Sequence, residues 1–141
     1  MTLAFPMRFH PAEEGGYWVQ GLAPLTNVLT EGETIEDAKA MAREALSAVL
    51  ASMLDHGEPI PRPSTAEGEG IQLIAPEPSV VMPILLRWAR EDAKLTLAEL
   101  ASRMGMTYQA VQKLERSTAN PTIKTLTKLA RALGRELDIA I

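Results

Sequence analysis

The residues of this chain best placed to do chemistry form a short polar constellation: Thr107, Tyr108, Gln109, Gln112, Lys113 and Arg116, with Ser117 and Asn120 just beyond. A glutamine amide matches adenine N6 and N7, a lysine reaches guanine O6 and N7, and a tyrosine adds an apolar ring with a hydroxyl. Thr107, Arg116, Ser117 and Asn120 suit phosphate oxygens, which position a protein on a duplex without reading its sequence. Spacing makes these groups act together. Positions 108, 109, 112, 113 and 116 recur at three- and four-residue intervals and share one helical face, while Ala110, Val111 and Leu114 share the other.

Other chemistry has little to work with. The chain has no cysteine, hence no thiolate nucleophile, thiolate metal site or disulfide framework. Its two histidines, His10 and His56, stand at a strand end and a helix end without a partner pattern. Two-metal nuclease chemistry needs several carboxylates converging from strands. The first predicted strand carries none, Glu13 and Glu14 sit together in a turn, and Asp37 is accounted for by capping and the helix dipole. The chain reads as a binder rather than an enzyme, with no cofactor and no metal.

The elements around the polar face are explicit. Leu97, Leu100, Ala101 and Met104 form the apolar stripe of a helix capped by Thr96. Gly105-Met106 turns the chain, and Thr107 caps a second helix, Tyr108–Arg116. Two short helices joined by a glycine-containing turn, the second polar on its free face, make a helix-turn-helix pattern. Over Leu97–Gly134 the skeleton LA…MG…V…LER…NP…L..LA.ALG resembles the XRE (lambda-repressor-like) helix-turn-helix family. That resemblance implies double-stranded operator DNA as a partner.

A preceding helix, Val80–Ala93, supplies Ile84, Leu85, Trp88 and Ala89 as the fourth wall of this bundle, with Pro83 near its first turn. Glu136–Ile141 (ELDIAI) alternates as a strand that has no sheet to join within a helical domain. Pairing of two copies would satisfy it, with Leu137, Ile139 and Ile141 as the dimer contact. Dimerisation also suits a reader of two half-sites. A homodimer or higher homo-oligomer is therefore expected.

The chain's net charge of −4 is unevenly spread. Residues 1–74 carry four basic and eleven acidic side chains, net −7, and residues 75–141 carry ten and seven, net +3. The basic part suits DNA, and the acidic part calls for a basic protein partner or none. In the acidic part, Leu3, Phe5, Met7 and Phe9 alternate along a strand over Thr2–His10. Glu13–Gly16 is a turn, Tyr17–Gly21 a second strand and Asn27–Thr30 a third. Thr34 starts a helix to about His56 whose buried stripe is Ile35, Ala38, Ala42, Ala45, Leu46, Val49 and Met53. Ile60–Gly70 is loop, Ile71–Ala75 a fourth strand, and residues 76–79 a linker. The fold class is α+β, a strand meander with a helix followed by an all-α domain.

Glu13–Val19, Thr30–Thr34, Glu36-Asp37-Ala38, Glu44-Ala45-Leu46 and Ile60–Ser64 together resemble the HicB antitoxins. The resemblance implies a truncated RNase H-like domain over residues 1–75 and a DNA-binding domain over 80–141. It also implies a HicA-like small basic ribonuclease toxin as partner, neutralised by direct binding, and repression of the shared operon. Trp18, pointing opposite to Tyr17 and Val19, is either partly buried under a loop or an aromatic anchor for a protein partner; as an anchor it is expected to bind the toxin together with Glu13 and Glu14. The alternative is a ligand-sensing helix-turn-helix transcription factor with no toxin. No apolar run approaches a membrane span and the N-terminus lacks a signal layout, so the expected location is cytoplasmic.

Overall fold

The computed structural model describes residues 3–141; Thr2, where alternation starts the first strand, lies outside the described residues. Strands β1 (Phe5–Pro11), β2 (Tyr17–Gly21) and β3 (Leu29–Gly32) form an antiparallel meander. Helix α1 (Ile35–Asp55) follows, and β4 (Ile71–Ile74) then pairs antiparallel with the free side of β1, giving the order β3-β2-β1-β4. The third strand thus begins at Leu29 rather than Asn27. Asn27 and Val28 belong instead to a turn in which Leu25 and Val28 are buried and the Ala23–Pro24 bond is cis.

Alternation along the strands sorts the two faces of the sheet. Phe5, Met7, Phe9, Val19 and Ile74 are buried on the side that α1 covers. Gly32 lies on that side too, because a Cβ there would collide with the backbone of Ala38 in α1. The helix starts where Thr34 Oγ1 accepts from the Asp37 N–H at 3.1 Å. Its buried line is Ala38, Ala42, Leu46, Leu50 and Leu54, one residue per turn. Ile35, Ala45, Val49 and Met53, expected in the same stripe, flank that line half-buried. Ala38, at the start of that line, lies directly against Gly32 of β3.

Residues 76–79, expected as a linker, are tied to α1. Pro76 is buried, the Glu77 N–H donates to Ser47 Oγ at 2.9 Å, and Arg43 Nε donates to the Ala75 carbonyl at 3.0 Å. Helix α2 (Pro78–Asp92) begins two residues earlier than the Val80 expected, so Pro83 falls inside it rather than in its first turn. The missing proline N–H leaves the Ser79 carbonyl without its in-helix donor. The chain divides into two compact units between Val81 and Met82.

The second unit adds α3 (Leu97–Met104), α4 (Tyr108–Leu114) and α5 (Ile123–Ala132) to the rest of α2. Leu100, Ala101, Met104, Val111, Leu114 and Leu129 form its core. In α2, Ile84 and Trp88 are buried as expected, but Leu85 is exposed, Ala89 is only half-buried and Arg87 turns inward. Glu115 explains the change. It is itself buried, and its carboxylate receives Arg90 Nε at 2.6 Å and Arg90 Nη2 at 2.9 Å, with Arg87 Nε 3.6 Å away. A third Arg90 bond reaches the Leu95 carbonyl at 2.8 Å.

The C-terminal strand is not formed among the described residues. Residues 135–141 are exposed and pair with no described strand, and Leu137, Ile139 and Ile141 point into solvent. Alternation specifies which face a strand would bury, but a strand forms only where a ladder partner exists.

Breaking a buried ion pair from one side strands the other charge, at a cost of about 3–5 kcal/mol. Glu115→Ala is therefore expected to destabilise the helical unit by that amount in urea unfolding, with Arg87 and Arg90 left unneutralised. A Glu115→Ala protein as stable as the parent would show that solvent, not Glu115, neutralises the arginines.

Candidate nucleic-acid interface

Local chemistry positions the helix-turn-helix step by step. Thr96 Oγ1 accepts from the Glu99 N–H and the Glu99 carboxylate accepts from the Thr96 N–H, both at 3.1 Å, a reciprocal capping box at the start of α3. The Thr96 N–H, then its side chain, holds the Glu99 carboxyl below its ordinary value. This stabilisation is complete above the usual carboxylate range and fades as the pH falls through the lowered value. Gly105 ends α3 in the left-handed conformation, φ 63°, with the Met106 N–H donating back to the Ala101 carbonyl at 3.0 Å. Thr107 Oγ1 then accepts from the Ala110 N–H at 3.1 Å and starts α4.

Helix α4 buries Val111 and Leu114, with Ala110 half-buried. Tyr108, Gln109 and Lys113 are exposed together on its free side, and Gln112 is half-buried beside them. Arg116 does not continue that face, because the helix stops at Leu114. It lies in the turn that follows, where the Ala119 N–H donates to its carbonyl at 3.0 Å. That turn carries Arg116 and Asn120 exposed and Ser117 half-buried. Among the described residues only Lys94 is a non-glycine with positive φ, so the backbone at Ser117 needs no left-handed residue. Thr122 closes the connection by capping α5, its Oγ1 accepting from the Thr125 N–H at 3.1 Å.

The expected contacts thus divide into a helical set, Tyr108, Gln109, Gln112 and Lys113, and a turn set, Arg116, Ser117 and Asn120, with Thr107 at the helix start. Sequence reasoning missed what holds α4 in place. Arg87, Arg90 and Glu115 carry α4's C-terminal end onto α2, and the Arg90 guanidinium is held above its ordinary value by its hydrogen bond to Glu115, against the opposing effect of burial. A sequence signal existed: two arginines at i and i+3 on a helix that otherwise buries apolar residues.

In the other unit, Trp18 is 39% exposed and stands on the sheet face opposite Val19. His10 stacks on it with ring centroids 3.7 Å apart and planes 10° from parallel. Glu13 and Glu14 are exposed in the β1–β2 turn. Among the described residues no three His, Asp or Glu side chains converge on a metal position, and no helix is long and apolar enough to cross a membrane.

Known proteins resemble both units. A family described as HicB-like antitoxin of bacterial toxin-antitoxin system matches residues 4–86, and a family described as helix-turn-helix matches residues 86–139. The chain is 34% identical to Antitoxin HicB 1 of Photorhabdus laumondii over 99% of its own length and 88% of that protein's. It is 31% identical to Antitoxin HicB of Escherichia coli K12, covering 99% of both chains. An uncharacterised helix-turn-helix transcriptional regulator of Methanothermobacter thermautotrophicus is 42% identical over 55 residues, 39% of this chain and 80% of that protein. The two halves therefore carry independent likenesses that together span residues 4–139, and the chain belongs to the HicB-like antitoxins, in a form with a C-terminal helix-turn-helix domain.

Proposed function

We propose that this protein neutralises a HicA-like, mRNA-cleaving toxin through its N-terminal domain, residues 1–75, and represses its own operon through residues 80–141. The observation that carries the DNA-binding half is the joint exposure of Tyr108, Gln109 and Lys113 on a helix whose far end is locked by Glu115. In this reading Gln109, Gln112 and Lys113 contact base edges, while Thr107, Arg116, Ser117 and Asn120 hold phosphates. The protein acts as a binder in the cytoplasm, where operator and message are both present, with no catalytic step of its own. The acidic balance of residues 1–74 favours a basic toxin, and exposed Trp18 with Glu13 and Glu14 is the contact assigned to it.

Two copies are needed to read two half-sites about one helical turn apart. The exposed tail supports pairing between copies: Leu137, Ile139 and Ile141 are apolar, alternate and are all exposed, Leu137 the least. In the dimer the two tails form an antiparallel ribbon.

Mutations separate these roles. Gln109→Ala or Lys113→Ala should cost about 1–3 kcal/mol and relax preference at one operator position if the contact is bidentate. Arg116→Ala should weaken all sequences alike and flatten the salt dependence. Footprints and salt titrations with the opposite pattern would reverse the assignment. Deleting residues 136–141 should turn a dimer into a monomer in sedimentation and abolish operator binding while toxin neutralisation survives. A truncated protein that stays dimeric would place the dimer contact elsewhere. Co-expression with a small basic ribonuclease encoded by a neighbouring reading frame tests the antitoxin half. Growth should be restored by the whole chain, and lack of protection would overturn that half.

A further inference from the structure

The sheet face opposite α1 is largely exposed among the described residues, with Pro6 buried at its β4 side. There the strand register sets Leu29, Gln20, Arg8 and Ile71 in one row and Glu31, Trp18 and His10 in the next. Leu29 is 61% exposed, and Leu73, beside Pro6, is 67% exposed. The arrangement around Trp18 is the specific feature of this face. Its indole is stacked on one side by the His10 ring from β1. On the other side its cross-strand neighbour is Glu31 of β3. The Glu31 carboxylate has no hydrogen-bond or ion-pair partner among the described residues.

Three further carboxylates come from the same end of the sheet. Gly16 holds φ +77°, and a Cβ there would lie 2.6 Å from the Gly32 oxygen and 3.3 Å from Glu33 Cα. The Glu13–Glu14 turn is therefore pressed against the end of β3, and Glu13, Glu14 and Glu33 are all exposed, with none in an ion pair among the described residues. The site thus combines an aromatic face, one carboxylate across the strand from it and a ring of uncompensated negative charge. A cation that is planar, weakly hydrated and able to stack while donating to a carboxylate fits this combination, and guanidinium has all three properties.

We infer that this end of the sheet is an arginine-reading platform on which a guanidinium of the basic partner stacks on the free side of Trp18 and pairs with Glu31. Glu13, Glu14 and Glu33 raise the encounter rate by long-range attraction. His10 braces the indole upright. The partner's identity as the toxin rests on the function proposed above; the platform itself does not.

The test has two arms on the full-length protein. In the first, acetylated hexa-arginine amide is titrated at low salt while tryptophan emission is followed. Trp88 is buried, so a saturable change reports Trp18. Hexa-lysine of equal charge should bind at least about threefold more weakly. Trp18→Leu, followed by titration calorimetry because the emission reporter is gone, should abolish the arginine preference, and Glu31→Gln should weaken hexa-arginine at least about threefold while Glu44→Gln, an equal charge change on α1, does little. In the second arm, Trp18→Leu should weaken the complex with the neighbouring basic ribonuclease at least about tenfold, with Trp18→Phe intermediate and thermal unfolding unchanged in both. Equal binding of both peptides, or toxin binding indifferent to Trp18 and Glu31, overturns the platform and leaves the antitoxin reading intact. A parent protein that binds no ribonuclease overturns the antitoxin reading, and the peptide arm then decides the platform alone. Self-association that Trp18→Leu abolishes would make a second copy the occupant and also overturn the proposal.

Discussion

The helical unit depends on one carboxylate. Glu115 is buried at the end of α4, receives two guanidinium hydrogen bonds from Arg90 and lies beside Arg87. A charge in that position is tolerated only because paired, hydrogen-bonded guanidiniums replace its hydration. The same requirement fixes geometry: a bidentate fork accepts a carboxylate in one plane and at one distance. The orientation of α4 relative to α2 therefore follows from an electrostatic constraint as much as from the apolar contacts of Val111 and Leu114. A helix of seven residues has little intrinsic stability. With Thr107 capping its start and Glu115 anchoring its end, its exposed side chains are held ready for a partner.

Threonine does the same job at four places. Thr34, Thr96, Thr107 and Thr122 each start a helix by accepting from the N–H three residues on, at 3.1 Å in every case. Each cap satisfies a backbone donor that burial or solvent would otherwise have to satisfy. The helix starts are accordingly local properties. The ends vary more: α3 stops in a left-handed glycine, whereas α4 stops two residues short of its expected end because Glu115 is drawn toward α2.

The two units, each taken by itself, differ in the chemistry of their exposed faces. The helical one offers Lys113 and Arg116 beside polar side chains, suited to a polyanion. The sheet offers Trp18 amid glutamates, suited to a cationic protein. On the sheet face away from α1, exposed apolar residues (Trp18, Leu29, Leu73) stand among exposed carboxylates, the mixture that the proposed partner contact would use.

The sequence by itself determined most of the elements and most of the polar face: the strand alternation of Phe5, Met7 and Phe9, the threonine caps at 34, 96 and 107, the glycine turn at 105, and the outward set Tyr108, Gln109 and Lys113. All of these rest on periodicity or on bonds within a few residues, which pattern alone encodes. Tertiary structure decided the rest. The buried line of α1 runs through Leu50 and Leu54, with Ala38 set against Gly32, and Arg87 rather than Leu85 faces inward, where Glu115 lies beside it. The grouping of Glu13 and Glu14 with Glu31 and Glu33 required the β2–β3 register. The tail's alternation found no ladder among the described residues. In each case the deciding partner is distant in sequence, or is not part of the chain at all, and neither propensity nor spacing carries that information.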